Sequence, residues 1–229
     1  MILIKFSDKL YLMNVFEKII EKINLKNNNK PMLVCIDGVD TSGKTTFADI
    51  LAENLELKTN INPVRVSIDR FHNSKDIRMK RGALSPEGFY YDSFNYEKII
   101  SLVLEPVKSG KSFIINGIYD YRIESDVSSE KILINNNSVI LMDGIFLLRP
   151  EIYSYWDLSI FLDINFEEVL KRAIKRDVKL FGSEEAVVKR YKNRYIPGEK
   201  IYLSEVKPAE KADIVIDNND YNNRRIIKY

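Results

Sequence analysis

The stretch Met32-Leu33-Val34-Cys35-Ile36-Asp37-Gly38-Val39-Asp40-Thr41-Ser42-Gly43-Lys44-Thr45-Thr46 decides the fold. Its first five residues are a short, continuous apolar run, which reads as a strand buried on both faces. Gly38 to Thr45 then spells Gly-x-x-x-x-Gly-Lys-Thr, and a helical pattern follows from about Lys44 to Leu57. A strand before and a helix after are the context this motif requires. Glycines let the backbone wrap closely around phosphate oxygens, while successive N–H groups and the helix N-terminus face negative charge. Lys44 is placed to reach terminal phosphates, and the Thr45 hydroxyl to hold Mg²⁺. Gly38, Val39, Asp40, Thr41, Ser42, Gly43, Lys44, Thr45 and Thr46 are therefore expected to bind a magnesium–nucleoside triphosphate.

Outward from that stretch, strands and helices alternate. Helical spacing runs from Val15 to Leu25 and ends in the asparagine-rich Lys26 to Lys30 and Pro31. Pro63 to Ile68 reads as a second strand. Between Asp69 and Asn95 lies a long polar and aromatic stretch, of a length that in compact domains is usually functional or mobile. A helix is predicted over 96–108. Strands are predicted over 113–118, 131–134, 139–142, 158–163 and 214–216. Two helices, Glu167 to Leu180 and Glu184 to Tyr195, are split at Gly182. Asn218 to Asn223 reads as a turn. This alternation, with nearly all-apolar strands, predicts a three-layer α/β fold with a mostly parallel, five-stranded core sheet and helices on both faces. One domain is expected over 1–229. It carries an N-terminal helical extension at 1–30, acceptor-site insertions at 69–95 and 118–136, and a lid-like helical segment at 166–200.

Composition bounds the function. Lys and Arg number 35 against 33 Asp and Glu, and hydrophobic residues make up 45%, which argues against wholesale disorder and against a polyanion coat. No nucleic-acid partner is expected. One cysteine, Cys35, and one histidine, His72, exclude a disulfide framework and a multi-histidine metal centre. Met1 to Phe16 lacks the continuous apolar core of a signal peptide, and no apolar run is long enough to span a bilayer. A cytoplasmic protein without a membrane partner is the simplest expectation. The charge is unevenly spread: residues 171–200 carry ten Lys/Arg and four Asp/Glu, a basic segment suited to a small phosphate ligand.

Val139-Ile140-Leu141-Met142-Asp143-Gly144 ends an apolar strand in an acid, the position from which Asp143 holds Mg²⁺ directly or through water. Asp69 follows the second strand and falls at the carboxyl edge of a parallel sheet, where ligands bind. A carboxylate there can accept the proton of an attacking hydroxyl or help to hold the metal. His72 lies in the same loop as a substrate-contact candidate. Arg172 and Arg176, four residues apart, share a helix face and are expected to close over the phosphates. There is no Asn-Lys-x-Asp element for guanine, which argues against a GTPase switch.

These motifs in this order resemble the uridine kinase family, within the group that includes phosphoribulokinase and bacterial pantothenate kinase. The resemblance runs over 33–217. Beyond the phosphate loop it is carried by Ser67-Ile68-Asp69-Arg70-Phe71-His72, Tyr91-Asp92-Ser93-Phe94-Asn95, Ile118-Tyr119-Asp120-Tyr121-Arg122, Met142-Asp143-Gly144-Ile145, Arg172-Ala173-Ile174-Lys175-Arg176-Asp177 and 207–216. It implies transfer of a phosphoryl group from ATP or GTP, with Mg²⁺, to a nucleoside 5′-hydroxyl. Asp69 then sits where the family's catalytic aspartate lies, with Lys44, Arg172 and Arg176 stabilising charge. Asp92 sits where an aspartate binds sugar hydroxyls and Tyr119 where a tyrosine contacts the base. The family's tendency to assemble makes a homo-oligomer an expectation.

Three departures stand out. Asp143 replaces the usual glutamate and preserves charge. Glu124 aligns with the base-contacting histidine. Leu180-Phe181-Gly182-Ser183 replaces a second basic cluster. Arg78-Met79-Lys80-Arg81 adds positive charge near the acceptor side, which makes Arg81 a substrate-binding candidate toward an acidic or phosphorylated acceptor. The alternatives are a kinase for another small alcohol (a sugar phosphate, a pantothenate-like acid or a nucleotide) and a nucleotide-binding regulatory protein without acceptor-dependent turnover.

Overall fold

The computed structural model describes residues 14–229, so the part of the expected N-terminal extension before Asn14 lies outside the described residues. Helix α1 (Val15–Lys26) begins at Asn14. The Asn14 side chain accepts from the Glu17 N–H, and the Glu17 carboxylate accepts from the Asn14 N–H, so two otherwise unpaired donors are satisfied reciprocally. Then follow β1 (Met32–Gly38), α2 (Lys44–Lys58) and β2 (Asn62–Ser67). The chain continues through α3 (Lys75–Met79), α4 (Pro86–Asp92) and α5 (96–108). The strands β3 (Phe113–Asn116), β4 (Tyr119–Asp120), β5 (Ser125–Asp126), β6 (Glu130–Leu133) and β7 (Ser138–Gly144) come next. The remainder is α6 (Pro150–Tyr153), β8 (Leu158–Asp163), α7 (Phe166–Phe181), α8 (184–206), α9 (Pro208–Lys211), β9 (Ile214–Asp217) and β10 (Arg225–Lys228).

The main sheet has the order β10-β9-β8-β1-β7-β2. The five strands from β9 to β2 are parallel, as the alternation predicts. A sixth strand, β10, pairs antiparallel with β9 at the edge, which the sequence reading did not anticipate. Both faces of the sheet are covered, and the strands divide their side chains between two cores by alternation. Leu33 and Cys35 of β1 join Val64, Val66, Ile140 and Met142 on one face. Met32, Val34 and Ile36 join Ile160, α1 and α2 on the other. This two-sided burial is why β1 and β7 are buried along their whole length.

Two expectations need correction. The 69–95 stretch is not a loop throughout: α3 and α4 fold within it. Ser85 caps α4 by accepting from the Gly88 N–H, with Pro86 in the first turn, where its missing N–H costs nothing. The helix predicted to stop at Tyr195 runs on to Val206 through Pro197. Just before the proline the helix widens to a π-type turn over Tyr191–Tyr195, which relieves the clash a proline ring makes with the preceding turn. The same device, at Ile100–Leu104, precedes Pro106 in α5.

Register positions the site. Ile36 lies beside Asp143, and Asp143 beside Ser67, so the ends of β1, β7 and β2 are adjacent. The phosphate loop, Asp143 and Asp69 thus leave the same carboxyl edge of neighbouring strands.

Candidate active site

A cleft of about 710 Å³ opens at that edge. Of the nine loop residues, Asp40, Thr41, Gly43, Lys44, Thr45 and Thr46 line it, while Gly38, Val39 and Ser42 lie behind. Gly43 has φ +89°, and a Cβ there would meet the Tyr221 ring at 3.0 Å and the Asn218 amide at 3.2 Å, so only glycine fits. The loop is braced from outside. Asn218 Nδ2 donates to the Ser42 carbonyl at 2.6 Å, and the Thr41 hydroxyl to the Val169 carbonyl at 3.1 Å. Lys44 Nζ folds back, donating to the Val39 carbonyl at 2.8 Å and to Ser42 Oγ at 3.4 Å.

The Thr45 hydroxyl donates to Asp143 Oδ2 at 2.7 Å. The other Asp143 oxygen takes Arg65 Nη2 at 2.9 Å, while Arg65 Nε reaches Asp49. Two hard oxygens side by side beneath a phosphate loop suit Mg²⁺, which takes one or two protein ligands plus phosphates and water. The residues present fit that ion.

Asp69 lies on the turn Ile68–Phe71 after β2 and faces the cleft. It is open to solvent there. Desolvation by the surrounding protein groups, with the Asp40 and Asp143 carboxylates, pushes it up to about 6 against the pull of Lys44 and Arg176. It is therefore ionised at neutral pH and close enough to neutrality to act as a base. The His72 ring stacks between Phe94 (4.5 Å) and Tyr121 (4.6 Å), and Nδ1 lies 2.9 Å from the Asp69 carbonyl. A carbonyl only accepts, so Nδ1 carries the hydrogen and Nε2 is left as an acceptor. Burial pushes His72 down to about 4, which keeps it neutral.

The two arginines expected over the phosphates differ. Arg172 is buried: Nη2 donates to the Asn218 and Asn219 carbonyls at 2.9 and 2.8 Å, and Nε to Glu168. Its guanidinium lies 3.7 Å from the Tyr221 ring centre. Arg176 is half exposed and forks onto Asp40 at 3.2 Å through both terminal nitrogens, with Asp177 and the Tyr191 hydroxyl on its other side. Burial opposes its charge, but Asp40 and Asp177 hold its proton well above the usual range. Both arginines border the cleft.

Four acceptor-side candidates are not brought into the cleft lining. Asp92 is buried and pairs with Arg81 Nε at 2.7 Å and Lys80 at 3.0 Å. Glu124, at φ +52° in the β4–β5 turn, binds Arg78 through both oxygens and takes the Tyr119 hydroxyl at 3.0 Å. The extra positive charge of 78–81 is thus matched by Glu124 and Asp92 rather than presented to an acceptor. The cleft is lined on that side instead by Phe89, Phe94, Tyr121, Arg122 and Tyr195, beside His72, which makes them the candidate acceptor wall. The sequence reading also missed Tyr221, which shields Gly43, and Glu199 on α8, which accepts from the Asp40 N–H. Neither belongs to a motif with its own spacing. The one available signal for Glu199 was a carboxylate set in the Pro197-Gly198 break.

Comparison with known proteins agrees with this geometry. The family model described as "Phosphoribulokinase / Uridine kinase family" matches residues 33–223. A uridine kinase of Ureaplasma parvum is 29% identical over 200 residues, spanning 86% of this chain and 92% of that protein. A solved structure titled a possible uridine kinase from Bacillus stearothermophilus superposes with a TM-score of 0.70 at 21% identity, covering 87% of this chain and 96% of that one. A D-glycerate 3-kinase from Cryptococcus neoformans has a TM-score of 0.60 at 12% identity, covering 94% and 100%. The identities of the two structures speak for the fold alone, but the family match covers most of the chain. The chain belongs to the phosphoribulokinase/uridine kinase family.

Proposed function

We propose that this kinase transfers the γ-phosphoryl group of ATP or GTP to a hydroxyl of a nucleoside-like small molecule, with Asp69 as the base. The observation that carries the reading is the meeting, in one cleft, of the phosphate loop, the Thr45–Asp143 oxygen pair and the Asp69 carboxylate just after the adjacent strand. Asp69 accepts the proton of the attacking hydroxyl and fixes its line of approach. Lys44 turns from the Val39 carbonyl toward the terminal phosphates, and Arg176 opposes the charge developing there. Arg172 holds the 218–219 turn beside Tyr221, and the nucleotide base rests near that turn. Thr45 and Asp143 would hold Mg²⁺, which neutralises phosphate charge when bound. The family and the uridine kinase relative support the nucleoside acceptor, and a cytoplasmic location, where such nucleotides are abundant, goes with it.

A second reading, a kinase for a different small alcohol, is favoured by one observation. Tyr119, Glu124, Arg81 and Asp92 satisfy one another away from the cleft lining. The test is a panel of nucleosides, sugar phosphates and hydroxy acids incubated with ATP or GTP and Mg²⁺, following diphosphate release. Release dependent on a nucleoside supports the first reading, and release with another alcohol the second. No acceptor-dependent release across the panel sinks both in favour of a nucleotide-binding regulator.

A further inference from the structure

Glu199 has no place in the chemistry above, yet it is among the most enclosed ionisable groups near the phosphate loop. It is fully buried, and one carboxyl oxygen accepts from the Asp40 backbone N–H. The other is buried with no hydrogen-bond partner among the described residues. The placement is built in. A Cβ on Gly198 would meet Phe89 Cδ1 and the Pro86 carbonyl at 2.8 Å each, so glycine lets α8 approach α4 closely enough to bring Glu199 beneath the loop.

The charges around it do not balance. Asp40 and Lys44 from the loop and Arg176 from α7 act on it directly. Asp177 of α7 and Tyr191 of α8 join through Asp40 and Arg176. Four carboxylates (Asp40, Asp69, Asp177 and Glu199) share two cations, Lys44 and Arg176. Asp40 is held ionised: burial opposes its charge, but Arg176 and Lys44 bring it below the usual range. When Lys44 turns to bound phosphates, the excess of negative charge grows by one. A second buried carboxylate beside Asp40, with a bare oxygen, is then the most expensive charge in the cluster.

We propose that Glu199 is a positioning residue that works as the neutral acid, fixing the Asp40 N–H from behind the phosphate loop while adding no negative charge next to bound phosphates. The inference rests on nucleotide binding at residues 38–46. Burial first, and the Asp40 carboxylate second, push the Glu199 carboxyl up to about 8. Asp69, pushed up to about 6, is already ionised in that range. Bound triphosphate raises the proton affinity further, so binding takes up a proton above that point and weakens as pH rises.

The test titrates the magnesium complex of a non-hydrolysable triphosphate analogue, adenine or guanine according to which the wild type binds, from pH 7 to 9. Calorimetry in buffers of differing ionisation enthalpy reads the proton. The wild type should lose affinity several-fold over this range and take up a fraction of a proton near pH 8.5. Glu199→Gln keeps an oxygen for the Asp40 N–H but does not ionise, so its profile should be flat and its proton uptake nil. Glu199→Ala should bind more weakly at every pH. If Glu199→Gln follows the wild-type slope and uptake, the inference is wrong. If neither chain binds either analogue, the nucleotide reading fails and takes the inference with it.

Discussion

The Thr45 hydroxyl and the Asp143 carboxylate meet at 2.7 Å, across the gap between the first turn of α2 and the carboxyl end of β7. Ninety-eight residues separate them, and strand register alone brings them together, because β7 lies directly beside β1. Arg65 fixes the second Asp143 oxygen, so the carboxylate has little freedom to turn away. Asp143→Asn keeps an acceptor for Thr45 but loses the charge that an incoming magnesium ion and Arg65 both need. We expect kcat to fall by about 100-fold or more, the range seen when one charge-stabilising group is lost. The magnesium concentration for half-maximal activity should rise. A magnesium titration of the variant decides it; an unchanged magnesium requirement would remove Asp143 from the metal site.

Asp69 is pushed up to about 6, so the base is ionised above that pH and lost below it. The kcat/KM should hold above pH 7 and fall toward tenfold per unit below about 6. Asp69→Asn should lower kcat by about 10²–10⁴-fold and abolish this limb, while nucleotide affinity stays near the wild-type value. An active Asp69→Asn enzyme with the wild-type profile would sink the base assignment.

Arg172 and Arg176 separate framework from proposed chemistry. Arg172 is buried and spends its donors on Asn218, Asn219 and Glu168, so Arg172→Ala strands those carbonyls and uncovers Tyr221. A loss of about 2–3 kcal/mol in urea unfolding is expected. Lysine should rescue little, since it lacks the planar fork. Arg176 has a side chain 53% exposed, but it compensates Asp40 and the buried Asp177, so Arg176→Ala should cost about 1–2 kcal/mol of stability, less than Arg172→Ala. Its larger effect should fall on kcat. Equal stability losses for the two variants would contradict this division.

The parallel sheet and the phosphate loop were legible because both are written locally. An apolar run followed by Gly-x-x-x-x-Gly-Lys-Thr fixes a strand, a turn and a helix within a span of residues that need no distant partner. β10 was not legible: Arg225–Lys228 is half polar, and its strand geometry comes from the open edge of β9. The continuation of α8 through Pro197 was hidden for a related reason. A proline signals a stop, and only packing against α4 makes the widened turn at Tyr191–Tyr195 worth forming. On the acceptor side, the family resemblance set Tyr119, Glu124 and Asp92 at the acceptor, whereas the structure keeps all three out of the cleft lining. The resemblance did not say which charges would find each other first. Arg78 and Glu124 lie 46 residues apart in sequence, and their pairing depends on how the β4–β5 turn folds over α3.

That pairing makes a prediction of its own. The Arg78 side chain is 9% exposed and that of Glu124 35% exposed, so the pair is enclosed on one side only. Arg78 also donates to the Asn73 carbonyl at 2.9 Å, tying the turn after β2 to the β4–β5 hairpin. Tyr121 and Arg122 sit between those two strands and face the cleft. Glu124→Ala leaves a largely buried guanidinium with one partner fewer, which should cost about 1–3 kcal/mol, below the figure for a fully buried pair because solvent still reaches Glu124. Loosening the hairpin displaces Tyr121 and Arg122, so the acceptor KM should rise several-fold. The phosphate loop, braced by Asn218 and Val169 on the opposite side of the cleft, is untouched, so the nucleotide KM should not change. Steady-state kinetics with each substrate varied in turn separates the two constants. An acceptor KM that stays put while stability falls would make the Arg78–Glu124 pair a structural tie with no part in shaping the acceptor wall.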